Sequence, residues 1–189
     1  MAFVEDGVTV TNYFARINDW SEYSNSGGIQ TSGNNSYGQL GTSDLTHRSS
    51  PIQIGTSSWT SITASLTGHV LGVLSNSTLY AWGYNAFGQL GINSVESKSS
   101  PVVVNFSAAG ITVSRITTGL SHTAIVDSEG LLWTWGLNNV GQIGDNSTTN
   151  QPMADNNIVG SYSLVSAGAS TTTAVDITAY TRLISCGYN

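Results

Sequence analysis

The stretch Trp82-Gly83-Tyr84-Asn85-Ala86-Phe87-Gly88-Gln89-Leu90-Gly91 decides the fold, because the chain repeats it. It returns as Trp135-Gly136-Leu137-Asn138-Asn139-Val140-Gly141-Gln142-Ile143-Gly144, and its last four residues also stand at 38–41. Counted from the Gly-Gln pair, successive copies are 50 and 53 residues apart. A fixed period of this size predicts a repeat architecture in which each unit packs against its neighbours.

Weaker copies extend the period to both ends of the chain. The Trp-Gly-x-Asn string has a counterpart at 183–189 and a worn one at 29–35, in which Cys186 and Ser32 stand where Trp is expected. The chain's three prolines follow the start of the Gly-Gln pair by 13, 13 and 11 residues, at Pro51, Pro101 and Pro152. Three independent features therefore share a period near 51 residues.

Each unit is predicted to contain four short strands. Val70–Leu74 and Thr123–Val126 are apolar runs of strand length, each followed by a polar turn and a second strand that ends in Trp82 or Trp135. Each proline is expected to begin an edge strand, and a fourth strand is predicted at 59–62, 113–116 and 162–165. With no helical periodicity, this pattern predicts an all-β fold of β-propeller blades of about 51 residues.

The repeated string resembles that of the regulator of chromosome condensation repeat family, over roughly residues 29–189. Gly119-Leu120-Ser121-His122-Thr123 also fits the family's Gly-x-x-His-Thr segment, whereas Thr171 stands in place of the last His. The resemblance implies a seven-bladed propeller. It assigns a structural role to the motif residues Trp82, Gly83, Asn85, Gly88, Gln89, Gly91, Trp135, Gly136, Asn138, Gly141, Gln142, Gly144 and His122.

The expected organisation is a non-repeat segment, residues 1–28, followed by propeller repeats over residues 29–189. The first segment is interpreted either as an anchor or as a cap on the first blade. The repeats amount to about three blades plus a fragment and stop inside the repeated string. Truncation of a longer propeller is the favoured explanation, and completion by a partner chain or a true short arc are the alternatives.

Composition excludes several classes of protein. Only 8% of the residues are charged, the net charge is −6 and Lys98 is the single lysine, so the clustered basic residues that displace counterions from nucleic acid are missing. No apolar run is long enough for a membrane span, so membrane insertion is not expected. The single cysteine, Cys186, excludes an internal disulfide and a Cys-based zinc site.

The residues that carry chemistry elsewhere have structural interpretations here. His69 and His122 are expected to be hydrogen-bonding residues at strand starts, His47 lies in a polar loop, and their spacing does not predict a metal site. Asp127 and Glu129 are interpreted as turn formers, and Cys186 as a buried, inert thiol. Trp82 and Trp135 are expected in the blade core, while Tyr84 and Phe87 are candidates for exposure. We therefore expect no enzyme activity, catalytic residue, cofactor or metal.

Three functions remain open from the sequence. The favoured one is a structural protein of a virion, such as a bacteriophage tail or fibre component. It would dock on other virion proteins through residues 1–28, be multimeric in the particle and display a surface for a host ligand. Its basis is the low charge and the 50 Ser and Thr residues. The alternative is a cytoplasmic protein-interaction propeller, with activity resembling a guanine-nucleotide exchange factor. A glycosidase would need two carboxylates about 5–10 Å apart, which the sequence does not supply.

Overall fold

The computed structural model describes residues 3–5, 8–10, 15–17, 28–178 and 181–187. Within them the chain forms sixteen strands in antiparallel sheets, in agreement with the all-β prediction. The strands are β1 (Phe3–Glu5), β2 (Val8–Val10), β3 (Ala15–Ile17), β4 (Ile29–Gly33), β5 (Arg48–Ile54), β6 (Trp59–Ala64), β7 (His69–Leu74), β8 (Leu79–Gly83), β9 (Lys98–Val103), β10 (Val113–Thr118), β11 (His122–Asp127), β12 (Leu132–Gly136), β13 (Gln151–Ile158), β14 (Tyr162–Ala167), β15 (Thr171–Asp176) and β16 (Arg182–Gly187).

Four of the sheets are propeller blades built as meanders, in which each strand pairs with the next one in the chain. The first blade is β3-β4-β5, the second β6-β7-β8-β9, the third β10-β11-β12-β13 and the fourth β14-β15-β16, while β1 and β2 form a separate hairpin. The strands β6, β10 and β14 begin the last three blades, and β10 contacts both of the others. These strands therefore lie innermost, and the blades follow one another around them.

The hydrophobic core lies between blades and not within them. Trp82 packs with Ile29, Ile54 and Val70 between the first and second blades. A larger cluster around Trp133, Trp135 and Leu90 joins the second blade to the third, and a smaller one around Tyr162 joins the third to the fourth. Each blade is therefore stabilised by the blade or blades next to it, as expected for a repeat whose units cannot bury their apolar faces alone.

The prolines do not begin the outer strands, contrary to the prediction. Pro101 is the fourth residue of β9, and Pro152 is the second residue of β13. Both strands lie at the edge of their sheet and have irregular register, so a residue without an N–H is tolerated inside them. Gly83 pairs with Lys98 and Gly136 with Gln151, which makes Ser99, and not Pro101, the counterpart of Pro152.

The predicted boundary at residue 28 falls beside residues that the structure largely leaves undescribed. The described parts of this segment contain β1, β2 and β3, and β3 pairs with β4 so that it belongs to the first blade. The anchor role of residues 1–28 stays a prediction. No helix long and apolar enough to span a membrane occurs among the described residues.

Candidate functional site

In the first three blades, the loop that carries the Gly-Gln motif is held by a buried asparagine of the same motif. In the second blade, Asn85 donates from Nδ2 to the carbonyls of Ser94 and Glu96 at 2.8 and 2.9 Å. Its Oδ1 accepts the backbone N–H of Leu90 at 2.9 Å. Asn35 and Asn138 make the same bond to Leu40 and Ile143. One side chain thus fastens both ends of the loop, which gives the surface above it a fixed shape.

The glutamine of the motif closes the tight turn, and the glycine before it allows the next blade to approach. Gln89 accepts the N–H of Phe87 on its Oε1 at 2.9 Å. Gly88 has a φ of +81°, close to the +78° of its counterpart Gly38. It is buried under β13 of the third blade. A Cβ at Gly88 would lie 2.3 Å from the Cα of Pro152, so only glycine fits beneath that strand.

The tryptophan of each motif bonds to the motif of the preceding blade. Trp82 donates its indole N–H to the carbonyl of Gln39 at 3.0 Å, and Trp135 donates to the carbonyl of Gln89 at 2.9 Å. Both indoles are fully buried, as the sequence predicts for the blade core. The repeated Trp and Gln therefore form one contact across each blade interface, although they lie more than 40 residues apart in the chain.

In the fourth blade a cysteine occupies the place of the tryptophan. Cys186 places its Sγ 3.4 Å from the carbonyl of Gln142, which is the weak S–H version of the same contact. The side chain of Cys186 is half-buried, whereas the sequence predicted a buried thiol. The short side chain covers less of the interface, and no described strand lies outside β16 to cover it. Burial of the thiol still raises its pKa.

Two histidines extend these contacts through a threonine of the following blade. Thr123 donates its hydroxyl to the carbonyl of Gln89 at 2.8 Å, so the Nε2–H of His69 must donate to Thr123, across 3.2 Å. In the next interface Thr172 donates to the carbonyl of Gln142 at 2.7 Å and lies 3.0 Å from Nε2 of His122. The sequence predicted hydrogen-bonding histidines and contained Thr123 in the Gly-x-x-His-Thr segment, but it did not indicate that Thr123 and Thr172 are the partners of His69 and His122.

Burial keeps both histidines neutral. Removal from water lowers the pKa of His69 to about 3 and that of His122 to about 4. The neighbouring His122 lowers the pKa of His69 further. Neutral rings protonated on Nε2 are what the bonds to Thr123 and Thr172 require. These groups are therefore structural, and the pKa values lie far below the range in which a general base works at neutral pH.

The turn before His69 is one residue longer than the turn before His122. Ser65 donates its N–H to the carbonyl of His69, whereas Gly119 makes the equivalent bond to His122. The hydroxyl of Ser65 lies 2.7 Å from Nδ1 of His69. Gly119 offers no such group, and Nδ1 of His122 has no partner among the described residues. The shifted spacing in the first complete repeat is thus a one-residue insertion that supplies a hydrogen bond.

Three aromatic side chains form a cluster on the loops of the first and second blades. The rings of Tyr37 and Tyr84 have centroids 4.6 Å apart and are tilted by 53°, and Phe87 meets Tyr84 edge-on at 6.2 Å. Tyr37 is 47% exposed, while Tyr84 and Phe87 are half-buried. We name these three residues the aromatic patch. The sequence suggested exposure of Tyr84 and Phe87, but Tyr37 was missed because it lies in a repeat without the Trp signal.

The two acidic residues considered for catalysis lie in one turn, and only one of them is hydrogen-bonded inside the structure. Asp127 is buried and accepts the N–H groups of Glu129 and Leu131 on Oδ1, and the indole N–H of Trp133 on Oδ2 at 2.8 Å. Glu129 is exposed in the same turn. His47 accepts the backbone N–H of Asn35 at 2.8 Å. No group of three or more His, Cys, Asp or Glu side chains suited to a metal ion occurs among the residues that the structure describes.

The folded sheets and their repeated interfaces define the chain as part of a β-propeller. A family model for the Regulator of chromosome condensation (RCC1) repeat matches residues 76–126 and 129–175, and a second model of this repeat matches residues 113–142. These matches cover just over half of the chain. The chain belongs to the RCC1 repeat family.

Three solved structures have a similar fold. Human WBSCR16 superimposes with a TM-score of 0.74 and 22% identity over 85% of this chain and 42% of its own. Prp20p of Saccharomyces cerevisiae gives 0.69 and 23% over 80% of this chain and 39% of its own. Yeast RCC1 (Prp20) bound to Kap60 gives 0.68 and 21%, over 79% and 37%. The chain spans less than half the length of each.

Proposed function

We propose that this chain is a non-enzymatic protein-interaction module that binds a partner protein through the aromatic patch of Tyr37, Tyr84 and Phe87. The observation that carries the proposal is the contact of these rings across two adjacent blades, with Tyr37 47% exposed. Tyrosine and phenylalanine are enriched at the centres of protein interfaces. They provide a large contact area and lose little side-chain entropy on binding.

The loops beneath the patch support this function because they are already ordered. The N–H groups of Tyr37 and Phe87 are bonded to the side chains of Gln39 and Gln89, both at 2.9 Å. The buried Asn35 and Asn85 fix the same two loops from below. A binding surface that needs no reorganisation avoids part of the entropic cost of association.

The comparisons support an interaction role in general terms. The yeast Prp20 structures are described as a complex with Kap60 and as a study of binding to Gsp1p and histones. We extend from this only the general proposal that a propeller of this family binds other proteins. A cytoplasmic location fits this role. The comparisons lend no support to the virion role, to docking on virion proteins or to a host ligand, and these stay predictions from composition.

A comparison of captured proteins tests the patch. The chain and its Tyr37→Ser variant are immobilised and exposed to a lysate of the source cells, and the retained proteins are quantified by mass spectrometry. The matched control is Leu45→Ser, which also removes an exposed apolar side chain, 60% exposed, outside the patch. We expect at least one protein retained by the chain and by Leu45→Ser, and reduced about 30-fold or more by Tyr37→Ser. Equal retention by all three would contradict the proposal.

An exchange-factor activity is a finer proposal, supported by the Prp20 likeness. It is tested by the release of a fluorescent guanine nucleotide from a small GTPase related to Gsp1p, with and without the chain. A chain that accelerates release at least about tenfold over buffer supports it. Unchanged release from a GTPase that does bind the chain would leave an interaction module without this activity.

A further inference from the structure

Tyr84 stands at a position of the repeat where the first blade uses an asparagine. In that blade the position is Asn34, whose Oδ1 accepts a hydrogen bond from the side-chain amide of Gln39 at 2.8 Å. In the third blade the amide of Gln142 donates to Asn139, two residues further along the motif, at 3.2 Å. The loops on either side of the second blade therefore both contain a polar partner for the motif glutamine.

The second blade lacks this partner. Tyr84 replaces the Asn34 of the first blade, and Ala86 replaces the Asn139 of the third. As a result, Nε2 of Gln89 is buried and forms no hydrogen bond to any residue that the structure describes. A buried donor without an acceptor destabilises a folded protein. The chain thus keeps an aromatic ring at residue 84 that its stability does not favour, which is typical of a residue selected for binding.

The two loops that carry the aromatic patch have their charges paired. The loop of the first blade, residues 34–48, contains Asp44 and Arg48, which form an ion pair at 2.6 Å. The loop of the second blade, residues 84–98, contains Glu96 and Lys98, which are 3.0 Å apart. These loops hold no other Asp, Glu, Lys or Arg. A charged ligand would meet no free counter-charge on them, so the surface favours an uncharged one.

The hydrogen-bonding groups that the patch offers are side-chain hydroxyls. The backbone N–H groups of Tyr37 and Phe87 are bonded to the motif glutamines, and that of Tyr84 is bonded to the carbonyl of Gly68 at 3.0 Å. The hydroxyls of Tyr37 and Tyr84 form no hydrogen bond to another described residue. A partner cannot pair with these three N–H groups as a strand would. Its polar contacts must therefore be made with the two hydroxyls.

The three rings are inclined to one another, so they bound a groove and not a flat platform. Tyr37 and Tyr84 are tilted by 53°, and Tyr84 and Phe87 by 80°. Aromatic-lined grooves are the docking sites of polyproline II segments, which have no internal hydrogen bonds and leave their carbonyls free to accept. Proline brings a carbonyl acceptor but no N–H donor, which suits a surface whose free donors are hydroxyls.

We propose that the aromatic patch binds an uncharged, proline-rich segment of a partner protein in the polyproline II conformation. This rests on the protein-interaction function proposed above and names the chemistry of the ligand. Proline rings of the ligand pack between the three aromatic rings, and its carbonyls accept hydrogen bonds from the hydroxyls of Tyr37 and Tyr84. Tyr84 determines this specificity, at the position where the first blade bonds its motif glutamine.

A displayed peptide library tests the class of ligand. Random peptides of about 12 residues, or about four turns of a polyproline II helix, are panned on the immobilised 189-residue chain. We expect enriched peptides with repeated prolines and no net charge, whose retention falls about tenfold or more on Tyr84→Asn. Val95→Ser is the matched control, because Val95 is 59% exposed in the same loop but outside the patch. It should retain these peptides within about twofold.

A synthetic copy of one enriched peptide separates the effect of its prolines from that of its charge. In fluorescence polarisation, replacement of its prolines by alanine should weaken binding to the chain about tenfold or more. A rise in salt concentration should change the affinity by less than about twofold, because no charge pair forms at the patch.

Ala86→Asn tests the missing hydrogen bond in the free chain. The new side chain matches Asn139 and supplies an acceptor to Gln89, so the midpoint of urea denaturation should rise. Ser36→Asn is the matched control, since it adds the same side chain at the same position of the first blade, where Gln39 already has a partner. It should leave the midpoint unchanged.

The polyproline ligand and the proposed function fail in different ways. Enriched peptides that depend on Tyr84 but lack prolines would overturn the ligand and leave the function standing. The same holds if no peptide depends on Tyr84 while Tyr37→Ser still loses a protein captured from the lysate. Equal lysate capture by the chain and Tyr37→Ser, together with no enriched peptide, would overturn both. An unchanged midpoint for Ala86→Asn would show that Tyr84 stands there without loss of stability, and would overturn its assigned role.

Discussion

The indole N–H of Trp135 and the backbone carbonyl of Gln89 are 2.9 Å apart and join the third blade to the second. The hydroxyl of Thr123 reaches the same carbonyl at 2.8 Å. Both lone pairs of this oxygen are thereby used by donors from the next blade, in a fully buried interface. This arrangement makes the blade interface a polar contact embedded in a hydrophobic core, and it leads to the first prediction.

Trp135→Phe should destabilise the fold more than Trp59→Phe does. The first change removes a buried hydrogen bond, whereas Nε1 of Trp59 is buried without a partner. We expect the difference in the free energy of unfolding to be about 1–2 kcal/mol in urea denaturation. Equal losses for the two variants would show that the bond to Gln89 contributes nothing.

Asn85→Ala should be among the most destabilising polar substitutions in the chain. It breaks three bonds to the loop and leaves two carbonyls and one N–H without their partner. We expect a loss of about 2–4 kcal/mol in the free energy of unfolding. Asn76→Ala is the control, because Asn76 is exposed and accepts only the N–H of Thr78. It should cost less than about 1 kcal/mol, and a comparable cost for both would contradict the role of Asn85.

The fold should lose stability as the pH falls from 7 to 5. His69 and His122 have folded-state pKa values of about 3 and about 4, below the ordinary 6.5. Between pH 7 and pH 5 the two histidines therefore bind protons in the unfolded chain but not in the folded chain. The free energy of unfolding decreases as the pH falls through this interval. Each histidine contributes about 2 kcal/mol over this interval.

His122→Gln tests this origin of the pH dependence. The variant lacks one of the two buried titrating rings, so its stability should decline less steeply between pH 7 and pH 5 than that of the parent chain. The measurement is urea denaturation at several pH values. A slope identical to that of the parent chain would show that His122 does not contribute to acid sensitivity.

Cys186 should react slowly with iodoacetamide at pH 8. Burial raises the pKa of the thiol, and the thiolate is the reacting form. We expect a rate about tenfold or more below that of glutathione in the folded chain, and a rate similar to that of glutathione in urea. A fast reaction in the folded chain would mean that the thiol is not held against Gln142.

The repeat allowed the fold to be predicted in most respects, because its period and composition are properties of the sequence. Trp82 and Trp135 were correctly predicted to lie in the core, because both occupy the same position of the repeat. The partners of the motif were not predictable, because Thr123 meets Gln89 across an interface that no spacing in the chain encodes. Pro101 and Pro152 were both misplaced, because β9 and β13 begin before them. The two-residue offset between these prolines is revealed only by the pairing of the two strands.

The acceptor at each blade interface is a main-chain carbonyl, and this has a consequence for how the repeat can change. No substitution of Gln39, Gln89 or Gln142 removes the oxygen that the next blade needs, so mutations act only on the donors. Cys186 and Val70 show that each donor can change alone. A weak S–H donor replaces the indole at Cys186, and Val70 leaves no donor at the position of Thr123. A repeat with a permanent acceptor and exchangeable donors can diverge in sequence while neighbouring sheets keep their spacing.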